Sequence, residues 1–192
     1  TAGGGVVVID PGGAAAAESA LYRGWGTAPL HAILLTHAHP DHRAGIALWR
    51  GGRDVPVIAQ ERFAELLADT DRIAPLLAAR SGRAAGAAGA ATATPALPAA
   101  RAEVTRTFGE RLELELGGSR FVLLHTPAET PDTAIVWIPE ARAAAVGDSY
   151  FGAFPNLATP RGGRTRRALE YVAALDAALA LAPEALLPGH EE

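Results

Sequence analysis

Between Thr36 and His42 the chain reads Thr-His-Ala-His-Pro-Asp-His, so His37, His39, Asp41 and His42 place four metal-ligand side chains within six residues. At this chain's composition, three His and one Asp at those offsets arise by chance roughly once in a million starting positions. Alternate residues leaving a strand share a face, so His37 and His39 can be aimed at one point. Asp41 and His42, opening the helix that follows, can be aimed at a second point close by. That spacing suits two metal ions. Imidazole and carboxylate ligands without a thiolate fit two Zn2+ best, with Fe or Mn fitting as the ligands become richer in oxygen. A hydroxide held between two such ions is a strong nucleophile near neutral pH, because the metals lower the pKa of water toward roughly 7.

The rest of the composition narrows the chemistry further. There is no cysteine, which removes disulfides, thiolate zinc sites and cysteine nucleophiles. With 192 residues, 49% of them apolar, and no run of 18 apolar residues, the chain can bury one sizeable core and contains no membrane span. The net charge is −4 and no basic cluster exceeds Arg166-Arg167, which argues against nucleic acid or a membrane surface as partner. A small-molecule partner is expected. Every cationic side chain is Arg and Ala is very abundant, a coding bias without functional content. No secretory signal opens the chain and Met is absent even at position 1, so it reads as processed or as a fragment, with its compartment open.

The elements that must position these ligands follow from pattern. The β-branched run 6–9, closed by Asp10-Pro11-Gly12-Gly13, predicts a buried strand, followed by a helix over 14–23. A second strand is expected over 31–36, a helix over 41–49 with Asp41 in its first turn, and a third strand over 55–59. Helical pattern covers 61–67 and again 73–80, and the Ala/Gly-rich stretch 81–100 reads as a loop or an excursion over the site. Short strands near 103–107, 111–116, 120–124, 133–138 and 143–146 form a meander pattern. A long helix over 165–181 and a last strand over 185–187 lead to Pro188-Gly189-His190.

The His37-x-His39-x-Asp41-His42 motif resembles that of the metallo-β-lactamase superfamily, and nearly the whole chain can be set against that family. Val7-Val8-Ile9-Asp10-Pro11-Gly12 resembles the strand ending in Asp-x-Gly, where Asp10 would orient a ligand. In His125-Thr126-Pro127-Ala128-Glu129-Thr130 the family usually carries a His ligand at the place of Glu129. The alkylsulfatase branch is similar to this chain in using Glu there. Gly147-Asp148 and Leu187-Pro188-Gly189-His190 match the two remaining ligand positions. Phe154 to Gly162 is similar to the segment in which an Asn and, five residues on, an Arg hold the sulfate, here Asn156 and Arg161. The stretch from Ala74 to Arg80 and Arg83 resembles a helix crossing over the site in short relatives.

The resemblance implies one metallo-β-lactamase-like domain over 1–192 with a four-layer αββα sandwich lacking the first strands. It also implies His37, His39 and Glu129 on one metal, Asp41, His42 and His190 on the other, and Asp148 between them, with Asp41 and Asp148 as the catalytic carboxylates. The implied substrate is a sulfate ester, a tetrahedral monoanion that the planar donor fork of Arg161 can pair with. A small anionic ester is thus the expected partner, and the resemblance allows a homodimer. Hydrolysis of a carboxylic ester, thioester or lactone, as in relatives resembling glyoxalase II or the lactonases, stays open as an alternative, as does a catalytically silent metal-binding domain. Among the remaining residues, His125 is read as packing or orienting a ligand, His31 as structural, Tyr150 and Phe151 as packing, and Glu110, Glu113 and Glu115 as a solvated face.

Overall fold

The computed structural model describes residues 4–12, 28–84, 104–150, 152–155, 157 and 166–190. The helix expected over 14–23, the Ala/Gly-rich stretch beyond 84, Phe151, and Asn156 and Arg161, the pair expected to bind the sulfate, lie outside those residues, as do the side chains of Arg80 and Arg83.

Two sheets face each other. The first orders β1 (Val6–Ile9), β2 (Leu30–Leu34), β3 (Val57–Gln60) and β4 (Arg106–Phe108), all parallel. The second orders β5 (Arg111–Leu116), β6 (Ser119–His125), β7 (Ala134–Ile138), β8 (Ala143–Gly147) and β9 (Ala185–Pro188), antiparallel except for the last pair. Strands covered on both faces need apolar runs, and 32–34 of β2, 57–59 of β3 and all of β8 supply them. Alternation sorts the faces. Ala32 and Leu34 of β2 point inward with Ile58 and Phe108 to meet Phe121, Leu123, Ala134, Val136 and Ala145 of the other sheet. Ile33 and Leu35 point the opposite way with Val57 and Ala59, beneath Ile46, Phe63, Leu66 and Leu67.

Helices close the outer faces. On the first sheet lie α1 (Pro40–Arg43), α2 (Ile46–Arg50) and α3 (Phe63–Ala84). On the second, Ala178 of α4 (Ala168–Ala180) packs on Ile135, Ala144 and Val146. The layering is helix, sheet, sheet, helix, as expected. No helix among the described residues is long and apolar enough to cross a membrane.

Several local expectations are corrected. The helix over 41–49 is two short helices, because the Gly45 amide bonds the carbonyl of Gly12 at 2.9 Å instead of continuing the ladder. The two helical stretches after residue 61 form one helix, α3, which runs through Pro75 and takes in 81–84, the first residues of the expected loop. An ion pair between Asp69 and Arg72 (3.2 Å) bridges the turn where a break was expected. β4 is not part of the meander: Phe108 turns into the inter-sheet core and its strand extends the parallel sheet beside β3. The last strand is found where expected, as β9, and it joins β8 in parallel.

Candidate metal centre

Most of the ligand-type residues follow the C-terminal ends of strands. Asp10 follows β1, His37 and His39 follow β2, Glu129 lies between β6 and β7, Asp148 follows β8, and His190 follows β9. Asp41 and His42 sit in α1. Two backbone bonds tie these loops together. The amide of Ala134 donates to Thr36 O across the sheets (2.8 Å), and that of Gly189 donates to Gly147 O (3.0 Å). The buried Arg43 guanidinium holds Ala38 O (2.8 Å) and so braces the loop carrying His37 and His39.

Close approach requires glycine at two places. Gly147 adopts φ +51, and a Cβ there would stand 2.4 Å from Thr36 Oγ1. A Cβ at Gly189 would stand 2.5 Å from His42 Cε1 and 2.6 Å from Asp148 Oδ1.

Three groups converge, each with its ligand atoms within 4.8 Å of one another: His37, His39, Glu129 and Asp148; Asp41, His42 and His190; and Asp10 with His37 and His42. In the first, His37 Nε2 lies 3.0 Å from His39 Nδ1, and both lie 3.2 Å from Glu129 Oε2. In the second, Asp41 Oδ2 lies 3.2 Å from His190 Nε2 and 3.9 Å from His42 Nε2. Asp148 joins them, with Oδ1 3.2 Å from His42 Nε2 and Oδ2 3.6 Å from His190 Nε2. The seven residues that the sequence singles out as ligands are thus brought together.

Asp10 belongs behind this cluster. It accepts from the Thr36 amide (2.8 Å), from the Thr36 hydroxyl (2.6 Å) and from His42 Nδ1 (2.9 Å). An ionised carboxylate only accepts, so the single Thr36 hydroxyl proton goes to Asp10, and Thr36 Oγ1 then accepts from His37 Nδ1 (3.0 Å). One network therefore protonates the Nδ1 of both His37 and His42 and leaves their Nε2 atoms to the cluster. Asp10 holds this position at φ 48, a left-handed conformation that a non-glycine residue takes at a cost.

The donor set fits a divalent cation. His42 Nε2 and Asp148 Oδ1 are buried 3.2 Å apart, yet neither has a hydrogen-bond partner. A cation between them would satisfy both. The electrostatics agree: burial alone would lower the pKa of His42, but the carboxylates of Asp10 and Asp148 outweigh it and raise the value to about 10. Without a metal, the cluster retains a proton in its place. Burial alone would raise the Glu129 pKa, and hydrogen bonds from His37 and His39 hold it far below the usual carboxylate range. Nitrogen and oxygen donors without sulfur suit Zn2+, Fe or Mn.

Other residues sort clearly. His125 commits Nε2 to Pro131 O (2.8 Å) and Nδ1 to Glu110 (3.4 Å), outside the ligand groups. Glu110, Glu113 and Glu115 are exposed, as expected. Tyr150, expected to pack, is instead exposed at 43%. One contact was missed: the Arg166 guanidinium pairs with Glu129 Oε1, both side chains largely buried. Its neighbour Arg167 turns to Glu170 (3.2 Å) on the surface. Adjacent arginines before a helix carry no periodicity that assigns one inward.

Residues 1–190 match the family model described as metallo-beta-lactamase superfamily. A linear primary-alkylsulfatase of Pseudomonas sp. (strain ATCC 19151) is 27% identical over 208 residues, covering 97% of this chain and 39% of that protein. Among solved structures, the stereoselective inverting sec-alkylsulfatase Pisa1 from Pseudomonas sp. superposes with a TM-score of 0.75 at 21% identity, covering 99% of this chain and 34% of that one. TTHA1623, solved in a di-iron-bound form, superposes at 0.65 with 28% identity, covering 95% of this chain and 80% of that one. The chain thus spans little more than a third of the length of the alkylsulfatases it matches. Layering, ligand convergence and the match over 1–190 agree: the chain belongs to the metallo-β-lactamase superfamily.

Proposed function

We infer that this chain is a metal-dependent hydrolase of sulfate esters. The observation that carries the reading is Glu129 in the ligand group with His37, His39 and Asp148, a carboxylate where most of the superfamily has an imidazole. The alkylsulfatase relative supports it. His37, His39 and Glu129 would hold one ion, Asp41, His42 and His190 a second, and Asp148 would bridge them. Zn2+ is the first choice and iron the second, given the di-iron relative.

Two ions bound there would supply Lewis acidity and a water acidified toward a pKa of roughly 7. The protein's own share is orientation. Asp10 and Thr36 fix the ring tautomers of His37 and His42. Asp41 and His190 are the exposed members of the group, and the ester is proposed to approach past them. Asn156 and Arg161 are proposed to take the sulfate oxygens, the guanidinium offering paired donors to a tetrahedral monoanion. The balanced reaction is R-O-SO3− plus water giving R-OH and hydrogen sulfate.

The test is turnover of a medium-chain alkyl sulfate beside a thioester and a lactone by the zinc-loaded protein, with Arg161→Ala in parallel. Sulfate release that collapses in the variant is the expected result. Turnover of the acyl substrates alone, indifferent to Arg161, would replace the sulfatase reading with acyl hydrolysis at the same metals.

A further inference from the structure

We propose that Arg166 is a positioning residue that holds Glu129 as a one-oxygen donor to the metal centre. The inference rests on the reading of Glu129 as a ligand.

The two Glu129 oxygens are divided. Oε2 lies 3.2 Å from His37 Nε2 and 3.2 Å from His39 Nδ1, whereas Oε1 is engaged by the Arg166 guanidinium. Glu129 is 6% exposed and Arg166 18%, so this pair is formed largely out of water. There an ion pair is strong enough to fix a side chain, and losing one partner strands the other.

A carboxylate free of such a partner can rotate and offer both oxygens to a divalent ion. Engaging Oε1 removes that option and holds the remaining lone pairs toward the two imidazoles. The guanidinium also offsets the charge of Glu129 in a cluster that already holds Asp10, Asp41 and Asp148.

The fold delivers Arg166 by packing. Tyr171, one turn into α4, is 2% exposed and packs with Ala174 and with Ala128, the residue before Glu129. The start of α4 and the Glu129 loop are thereby locked together. Thr130, on the other side, braces the same loop through its hydroxyl to Asp132 Oδ1 (2.5 Å).

The experiment uses Co2+ as the probe in the wild-type protein, Arg166→Gln, Arg166→Lys, Glu129→His and the Glu129→His/Arg166→Gln double variant. Visible ligand-field spectra, chelator competition and thermal melting are measured on each. Arg166→Gln is expected to weaken the ligand-field bands, as Glu129 swings to two-oxygen coordination, and to cost roughly 10- to 100-fold in affinity for one of the two ions. Arg166→Lys keeps the charge and should recover most of the affinity. It is also the variant to read if the Gln protein does not fold.

In the Glu129→His background, Arg166→Gln should change neither spectrum nor affinity, because the carboxylate it acts through is gone. A folded Arg166→Gln protein with wild-type spectrum and affinity overturns the proposal, as does an equal effect in the Glu129→His background. Failure of the underlying reading is distinct: wild-type protein that takes up no Co2+, or a Glu129→His spectrum identical to wild type, removes Glu129 as a ligand and the proposal with it.

Discussion

The two halves of the metal centre differ in how the fold encloses them. On one side His37 and Glu129 are 0% and 6% exposed, locked by Thr36, Arg166 and the β6–β7 loop. On the other, Asp41 and His190 are 57% and 50% exposed and meet mainly each other and Asp148. The closed half is formed by contacts that exist before any ion arrives, so little ordering entropy remains to be lost on binding. The open half must draw the exposed Asp41 and His190 toward an ion beside the buried His42. If the proposed two ions bind there, the first position would hold its ion tightly and the second would hold a more labile one.

The largest expected effect comes from the residue common to both. Asp148→Ala should lose both ions, read as metal content falling from two per chain toward zero and hydrolysis falling to background. Retention of two ions would remove Asp148 as the bridge. His190→Ala should separate the halves, with one ion retained and one lost to dialysis. If both ions leave together, the halves are not independent and the comparison fails. Asp10→Asn acts behind the ligands: the variant loses the carboxylate that fixes His42 Nδ1, and the expected cost is roughly 10- to 100-fold in affinity with stoichiometry kept at two. Competition with a chelator measures it.

Proton release sharpens the contrast next. The His42 pKa, ordinarily 6.5, is raised to about 10 in the metal-free protein by Asp10 and Asp148 against the effect of burial. Its charged form therefore stabilises the metal-free fold fully below pH 6.5, and this contribution is lost as pH rises through about 10. A ligating imidazole must give up that proton. Affinity should climb by up to about tenfold per pH unit between those limits and then flatten. Calorimetry in buffers of different ionisation enthalpy should count at least one proton released, the one held by His42. Affinity unchanged from pH 7 to 9 would show that His42 does not bind metal in the open half.

Much of this centre was legible in the sequence because ligand chemistry is written in residue type and spacing. His37, His39, Asp41 and His42 are adjacent in the chain and needed only a strand end and a helix start to converge. The strands were legible for a similar reason: 111–116 alternates Leu with charged residues, and β5 has those bounds. What failed depended on partners distant in sequence. β4 is only Arg106-Thr107-Phe108, and nothing in those three residues shows that Phe108 enters the inter-sheet core and sets the strand beside β3 in parallel. The break at Gly45 needed Gly12. Arg166 is the clearest case: it falls inside the helix expected over 165–181, nothing in its type or spacing sets it apart from Arg167, and the packing of Tyr171 on Ala128 is what brings the start of α4 beside Glu129.

His125 supplies the smallest effect and the strictest control. It stands four residues before Glu129, and a reader of the sequence could exchange the two as ligand. The structure separates them by what their polar atoms already do. The His125 ring donates from Nε2 to the carbonyl of Pro131 (2.8 Å), its Nδ1 lies 3.4 Å from Glu110, and neither nitrogen enters a ligand group. Glu129 instead has an oxygen turned to both His37 and His39. His125→Asn should therefore leave two ions and unaltered affinity, and cost about 1 kcal/mol of stability from the lost hydrogen bond to Pro131. Metal analysis and a denaturant melt measure the two quantities separately. A variant that lost an ion at unchanged stability would make His125 the ligand and Glu129 the supporting residue, and with that exchange the carboxylate on which the sulfatase reading rests would leave the metal centre.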